Sequence, residues 1–259
     1  MDATTETQTG TGAAPTGVVP AVAPATPAPA RQRWRLVLDR SAGAADLGGR
    51  ELADAWEAML EATGLPAFVP AGRAHARVAF GAPLSAGLVA EAELADIVLT
   101  EFEPTWRVRE CLEARLPQGW RLVDLYDVWL GAPALAGQVV AADYRIEVVG
   151  AGVAEVAPAV TAFLASDRLP RERQKGITTV TYDLRPLVDT IELVDPGPPV
   201  VVRVRTRFHP ELGTGRPAEV VAALGDLAGN ALVVGLVVRE RLILAEDLDD
   251  GRPEPGGHP

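Results

Sequence analysis

The sequence predicts an α+β fold of two tandem ferredoxin-like (βαββαβ) units, and three observations carry that expectation. Strand-period and helix-period stretches follow one another in the order β-α-β-β-α-β. After a Gly131–Gly137 junction the same order begins again. Apolar residues make up 48% of 259 positions, enough to bury one or two cores. The units are expected at 31–134 and 135–245. A disordered Pro/Ala/Thr-rich tail (1–30) precedes them and a disordered acidic tail (246–259) follows.

In chain order, Trp34, Leu36 and Leu38 alternate with other residues at a strand period and predict a first strand at 33–39. Leu52, Trp56, Met59 and Leu60 share one face of a helix over 49–63, which Gly64 is placed to close. Strands are expected at 76–80 and 93–100, a helix at 104–116 carrying Val108, Cys111 and Leu112, and a strand at 120–130. In the second unit a strand at 143–149 leads to a helix at 153–165, then a basic loop at 168–175 feeding a strand at 177–184. A strand at 200–208, a helix opened by Pro217 and a strand at 233–244 complete the unit.

Charge narrows the function classes. The formal net charge is -11, and removing both tails leaves a folded part of about -5, so a general grip on phosphate backbones is not expected. Cys111 is the single cysteine, which excludes an intrachain disulfide or a Cys-built metal site and suits the cytoplasm. Residues 1–30 lack the basic and apolar regions of a secretory signal, and no apolar run is long enough to span a membrane. No cofactor is expected.

Catalytic motifs are sparse. Gly150-Ala-Gly152 sits where a dinucleotide turn would put its first glycines, but Glu155 stands where the third belongs, and a tight strand-to-helix turn is the better reading. Gly213-Thr-Gly-Arg-Pro217 reads as a loop and cap. His75, His209 and His258 have no metal-ligand spacing, and Cys111 falls on an apolar stripe. Cations gather only between Arg168 and Arg216, where nine bases meet six acids. Arg168, Arg171, Arg173, Lys175, Gly176, Asp183 and Arg185, with the alternating Arg203, Arg205 and Arg207, therefore form the expected anion, RNA or partner contact. If the strand at 177–184 pairs with that at 200–208, loop and stripe share one surface; otherwise the arginines are a solvated face paired with Asp183, Asp189 and Glu192.

Leu169-Pro170, Arg173, Lys175-Gly176 and Asp183-Leu-Arg-Pro186 resemble the second half of the radical-SAM-linked family, a bacterial domain of unknown function found beside or fused to radical S-adenosylmethionine proteins. Gly64-Leu-Pro66, Gly72, His75, Arg77, Phe80, Gly87, Glu93 and Asp96-Ile97 follow the order of its first half, over about 33–244. The prolines flanking the family's histidine are Ala74 and Ala76 here, and its Ser-His-Leu-Asp element is replaced by Asp46-Leu-Gly-Gly-Arg50. His75, Arg77 and Asp96 are thus further candidate positions. The resemblance implies a non-catalytic accessory protein whose radical SAM partner is a separate chain, since one cysteine cannot hold that enzyme's cluster. It also implies a translation or RNA-modification setting. A stand-alone RNA-binding module, and an enzyme in which His75, Arg77 and Asp96 converge with the basic loop, are the alternatives.

Overall fold

The computed structural model describes Met1 and residues 28–44, 47, 49–83, 85 and 88–249. Among these the fold is mixed α+β, with a nine-stranded, mostly antiparallel sheet, a separate two-stranded hairpin and six helices. In the first half, β1 (Gln32–Arg40) leads to α1 (Gly49–Ala62), a two-residue β2 (Ala79–Phe80), β3 (Val89–Leu99), α2 (Thr105–Glu113) and β4 (Trp120–Asp127). A short α3 (Leu135–Gln138) opens the second half. There β5 (Val139–Val149), α4 (Val153–Ala165), the hairpin β6 (Pro170–Lys175) and β7 (Thr178–Asp183), and β8 (Val188–Asp195) follow. The chain then runs through β9 (Val200–His209), β10 (Gly213–Thr214), α5 (Pro217–Ala228), β11 (Val233–Leu244) and α6 (Ala245–Asp249).

Pairing within the first half runs β2-β3-β1-β4, and within the second β8-β9-β5-β11, with every neighbour antiparallel. A parallel contact, Val238↔Val89 and Arg239↔Ala90, joins β11 to β3 and fuses the two into one sheet.

Periodicity explains which side of each strand is covered. Trp34, Leu36 and Leu38 of β1 and Ala95, Ile97 and Leu99 of β3 face α1 and α2 in one buried cluster. Its centre is Trp56, fully buried, which meets Phe80 and Trp120 edge-on with ring centroids 5.3 and 5.0 Å away. Cys111 is partly buried at the margin of this cluster. A second cluster packs Ile146 and Val148 of β5, Val202 and Val204 of β9, and Leu242 and Leu244 of β11 against Val156 and Phe163 of α4 and Val220, Val221 and Leu224 of α5. Pro217 stands at the start of α5, where a missing N–H costs nothing, and Gly229 ends that helix in the left-handed region. At the start of α4, Glu155 reaches back to accept a hydrogen bond from the Gly152 N–H at 3.0 Å, so the Gly150-Ala-Gly152 turn is closed by its own carboxylate.

Four expectations change. The stretch 168–175 is largely strand β6 rather than loop. The segment at 177–184 pairs with β6, residue for residue from Pro170↔Asp183 to Lys175↔Thr178, and not with β9. β9 is paired instead by β8, whose alternation is broken by register shifts between Val188 and Thr190 and between Leu193 and Asp195. Its buried residues Val188 and Ile191 consequently lie three apart, and a period-two reading passes over them. Finally, the start of the acidic tail forms α6; the remaining tail residues 250–259, and 2–27 of the N-terminal tail, lie outside the described residues.

Candidate functional site

The cationic residues singled out by sequence divide into two groups on opposite sides of the sheet. Arg203, Arg205 and Arg207 alternate with Val202, Val204 and Thr206, whose side chains are buried on the helix-covered side. The stripe therefore lies on the helix-free side, among carboxylates of neighbouring strands. Arg203 donates to Glu240 at 2.6 Å, and Arg145 donates to the same carboxylate at 2.7 Å and to Glu91 at 2.6 Å. Arg205 and Arg241 both donate to Asp143, at 2.7 and 2.9 Å, and Arg207 pairs with Asp189. Side-chain exposure is 6% for Asp143 and 14% for Glu240, against 43% for Arg203 and 54% for Arg207. Asp143 and Glu240 thus lie inside, each beneath arginines more exposed than itself. Burial raises the Asp143 carboxyl, but hydrogen bonds from Arg205 and Arg241 outweigh it and hold the group below the usual carboxylate range. Glu240 is lowered by the same contest, with Arg203 and Arg145 as the counter-charges.

The hairpin is fastened to α5 on the covered side. Arg171 pairs with Asp226, and Arg173 grips Glu219 with Nε at 3.0 Å and Nη2 at 2.7 Å while lying 4.5 Å over the Tyr182 ring. Burial, with Glu219 nearby, pushes the Tyr182 hydroxyl up to about 12. Gly176 occupies the first of the two turn positions with φ +63°, a conformation that glycine adopts without steric cost. Ile177 beside it is fully exposed at the tip. Asp183 is a local brace: its Oδ1 accepts the N–H groups of Leu169 at 2.8 Å and Arg185 at 3.1 Å. Burial opposes its ionisation, those N–H groups and Arg168 favour it, and the net direction is down. Arg185 donates to the Val188 carbonyl at 2.8 Å, and Arg168 sits 3.5 Å from Asp183. The loop-and-stripe surface is thus not formed; of the expected partner carboxylates Asp183 and Asp189 do pair, with Arg168 and Arg207, while Asp143, Glu240, Glu219 and Asp226 hold other arginines and were not foreseen. Sequence reasoning missed Asp143 and Glu240 because their pairs across the sheet span 37 to 98 residues, and no local spacing reports such a contact.

The first-half positions separate likewise. His75 is exposed and paired with Glu61, which holds its imidazole above the ordinary value. Arg77 and Asp96, by contrast, line one cavity of about 950 Å³ bounded by the start of β1, the first turn of α1, residues 68–83, β3 and the 130–136 junction. Its walls are mostly apolar, among them Leu52, Phe68, Phe80 and Leu135. Asp96 is buried beneath it between two arginines: Arg33 donates to it through Nε at 2.8 Å, and Arg35 through Nε at 2.9 Å. Glu93, three residues earlier on β3, is fully buried against Arg239 of β11. Burial pushes the Glu93 carboxyl up while Arg239 pulls it back, and the Arg239 guanidinium is held the more firmly protonated. His75 does not join Arg77 and Asp96, and the hairpin lies in the other half, so the four-part convergence expected of an enzyme is absent. Among the described residues no group of three or more His, Cys, Asp or Glu side chains is arranged to hold a metal ion, and no helix is long and apolar enough to cross a membrane.

A family model described as an uncharacterized protein conserved in bacteria (DUF2344) matches residues 33–216. Comparison with curated proteins gives no match. Among solved structures, a chain of a Cbf5-Nop10-Gar1 complex matches with TM-score 0.49 and 10% identity over 81% of this chain and 48% of its own. A chain of an H/ACA RNP bound to a substrate RNA containing 2'-deoxyuridine matches with TM-score 0.44 and 13% identity, over 81% and 47%. A chain of the archaeal box H/ACA sRNP Nop10-Cbf5 complex gives 0.42 and 12%, over 81% and 47%. The present chain spans about half the length of each of these.

Proposed function

The chain belongs to the uncharacterized bacterial family DUF2344, and on that footing we propose that it is a non-catalytic accessory protein. It docks onto a separate enzyme through the arginine–carboxylate lattice of β9, β5 and β11. Each half is read as a ferredoxin-like unit, 31–134 and 135–245, a reading supported by the matching strand orders β2-β3-β1-β4 and β8-β9-β5-β11. The observation that carries the proposal is the near balance of the helix-free face, where Arg145, Arg203, Arg205, Arg207 and Arg241 meet Asp143, Glu240, Glu91 and Asp189.

A phosphate backbone is held by cations free to release its counterions, and compensated guanidiniums do that poorly. Ordered arginines on buried acids instead suit a partner protein, for which charge arrangement sets register and specificity. A radical SAM enzyme in trans is the partner that the motif resemblance implies, with an RNA-modification or translation setting for its substrate. Affinity purification of the tagged chain from its own organism is expected to enrich a radical SAM protein, and Arg203→Glu/Arg207→Glu to lower that recovery at least fivefold. The purified chain alone is expected to retain little RNA in filter binding at low salt. Failure to enrich a radical SAM protein over an unrelated bait overturns the partner, and tight RNA retention lost in Arg203→Ala/Arg205→Ala favours the stand-alone RNA module.

A further inference from the structure

The first-half cavity has its own chemistry, apart from the lattice face. At about 950 Å³ it is of the size that holds a drug-sized molecule, and its apolar walls carry few polar groups. Two arginines, Arg33 and Arg77, line it with the single carboxylate of Asp96, which Arg35 also pairs from outside the lining. Arg33 and Arg35 are spoken for: both donate to Asp96, and Arg33 also donates to the carbonyls of Ala132 at 2.8 Å and Pro133 at 3.0 Å. Arg77 is different. It is exposed, and among the described residues it has neither an ion-pair nor a hydrogen-bond partner. An apolar chamber with a surplus of positive charge and one uncommitted guanidinium on its wall matches a ligand with an apolar body and a single anionic end.

We propose that this cavity binds a small amphiphilic anion, its apolar part against Leu52, Phe68 and Phe80 and its acidic group on Arg77. Arg33 and Arg35 hold Asp96 so that the buried carboxylate does not repel it. A charge-assisted hydrogen bond at such a site is worth enough that losing it weakens binding roughly tenfold.

The test uses the full chain and a fluorescent amphiphilic anion, 8-anilinonaphthalene-1-sulfonate, titrated to saturation and then displaced by decanoate or by decanol. Saturable one-to-one binding is expected, with decanoate displacing the probe at roughly a tenth of the decanol concentration. Arg77→Ala is expected to weaken the probe about tenfold. Ala53→Trp, which narrows the cavity from an exposed position on α1, is expected to abolish the one-to-one phase. Both substitutions are at exposed residues, and circular dichroism with a thermal melt checks that each variant is folded. The proposal is overturned if no saturable phase appears, if decanol competes as well as decanoate, or if folded Arg77→Ala binds unchanged. Insensitivity to Ala53→Trp also overturns it, by placing the probe on exposed aromatic surface elsewhere.

Discussion

Single residues here are governed by what stands opposite them across the fold rather than beside them in sequence. His75 shows this in its simplest form. Glu61 accepts from its ring and holds the imidazole protonated to higher pH than usual, so the pair is complete below the ordinary histidine range of about 6.5 and is lost as pH rises through the higher folded value. Titration by NMR is expected to place the His75 midpoint above that of an unpaired histidine and to bring it down in Glu61→Gln. The sequence marked His75, Arg77 and Asp96 as neighbours in a motif. The structure leaves Arg77 and Asp96 on one cavity and turns His75 to the exposed Glu61 instead. Glu93 and Asp96 were legible as an acidic strand. Their burial was not, since each is neutralised by an arginine from another strand.

Among the elements, helices were read well and strand pairing less so. α1, α4 and α5 carry their buried residues at helical spacing, which survives without knowledge of the rest of the chain. β8 does not, because its bulges break the alternation, and the β6–β7 hairpin was mistaken for a loop and a sheet strand because its sides bury little and carry no strong pattern. The arginine–carboxylate lattice belongs to this scale as well, and it predicts an acid response. Asp143 and Glu240 have depressed folded values, so their contribution is present above the ordinary carboxylate range and is lost as pH falls through those lower values. The melting temperature is therefore expected to drop from about pH 5 downward. In Asp143→Asn/Glu240→Gln it should start lower at neutral pH and fall less steeply on acidification, as differential scanning calorimetry across that range would check.

At the scale of the whole molecule, two cores share one sheet, and the seam between them is tight and charged. A Cβ on Gly81 would stand 3.0 Å from Leu242 Cδ1, 3.2 Å from Val139 and 3.3 Å from Leu135, so the first half meets the second closely enough that even a methyl group there requires its neighbours to give by a few tenths of an ångström. Beside it Arg239 binds Glu93 and donates to the Pro83 carbonyl at 3.2 Å. Removing one partner of a buried pair leaves an uncompensated charge. Arg239→Met alone is expected to cost about 3–5 kcal/mol in urea unfolding, and Glu93→Leu/Arg239→Met to recover most of that loss.

The same pair has a consequence for how the chain is made. Glu93 and Arg239 are 146 residues apart, and the strand bearing the arginine is the last of the sheet. A ribosome extends the chain from its N-terminal end onward, so the early half emerges with a carboxylate committed to the interior, Arg40 near it, and its hydrogen-bonded cation not yet synthesised. Completion of the first half therefore waits on synthesis of β11, and a chain cut short before Arg239 leaves that acid without its hydrogen-bonded partner.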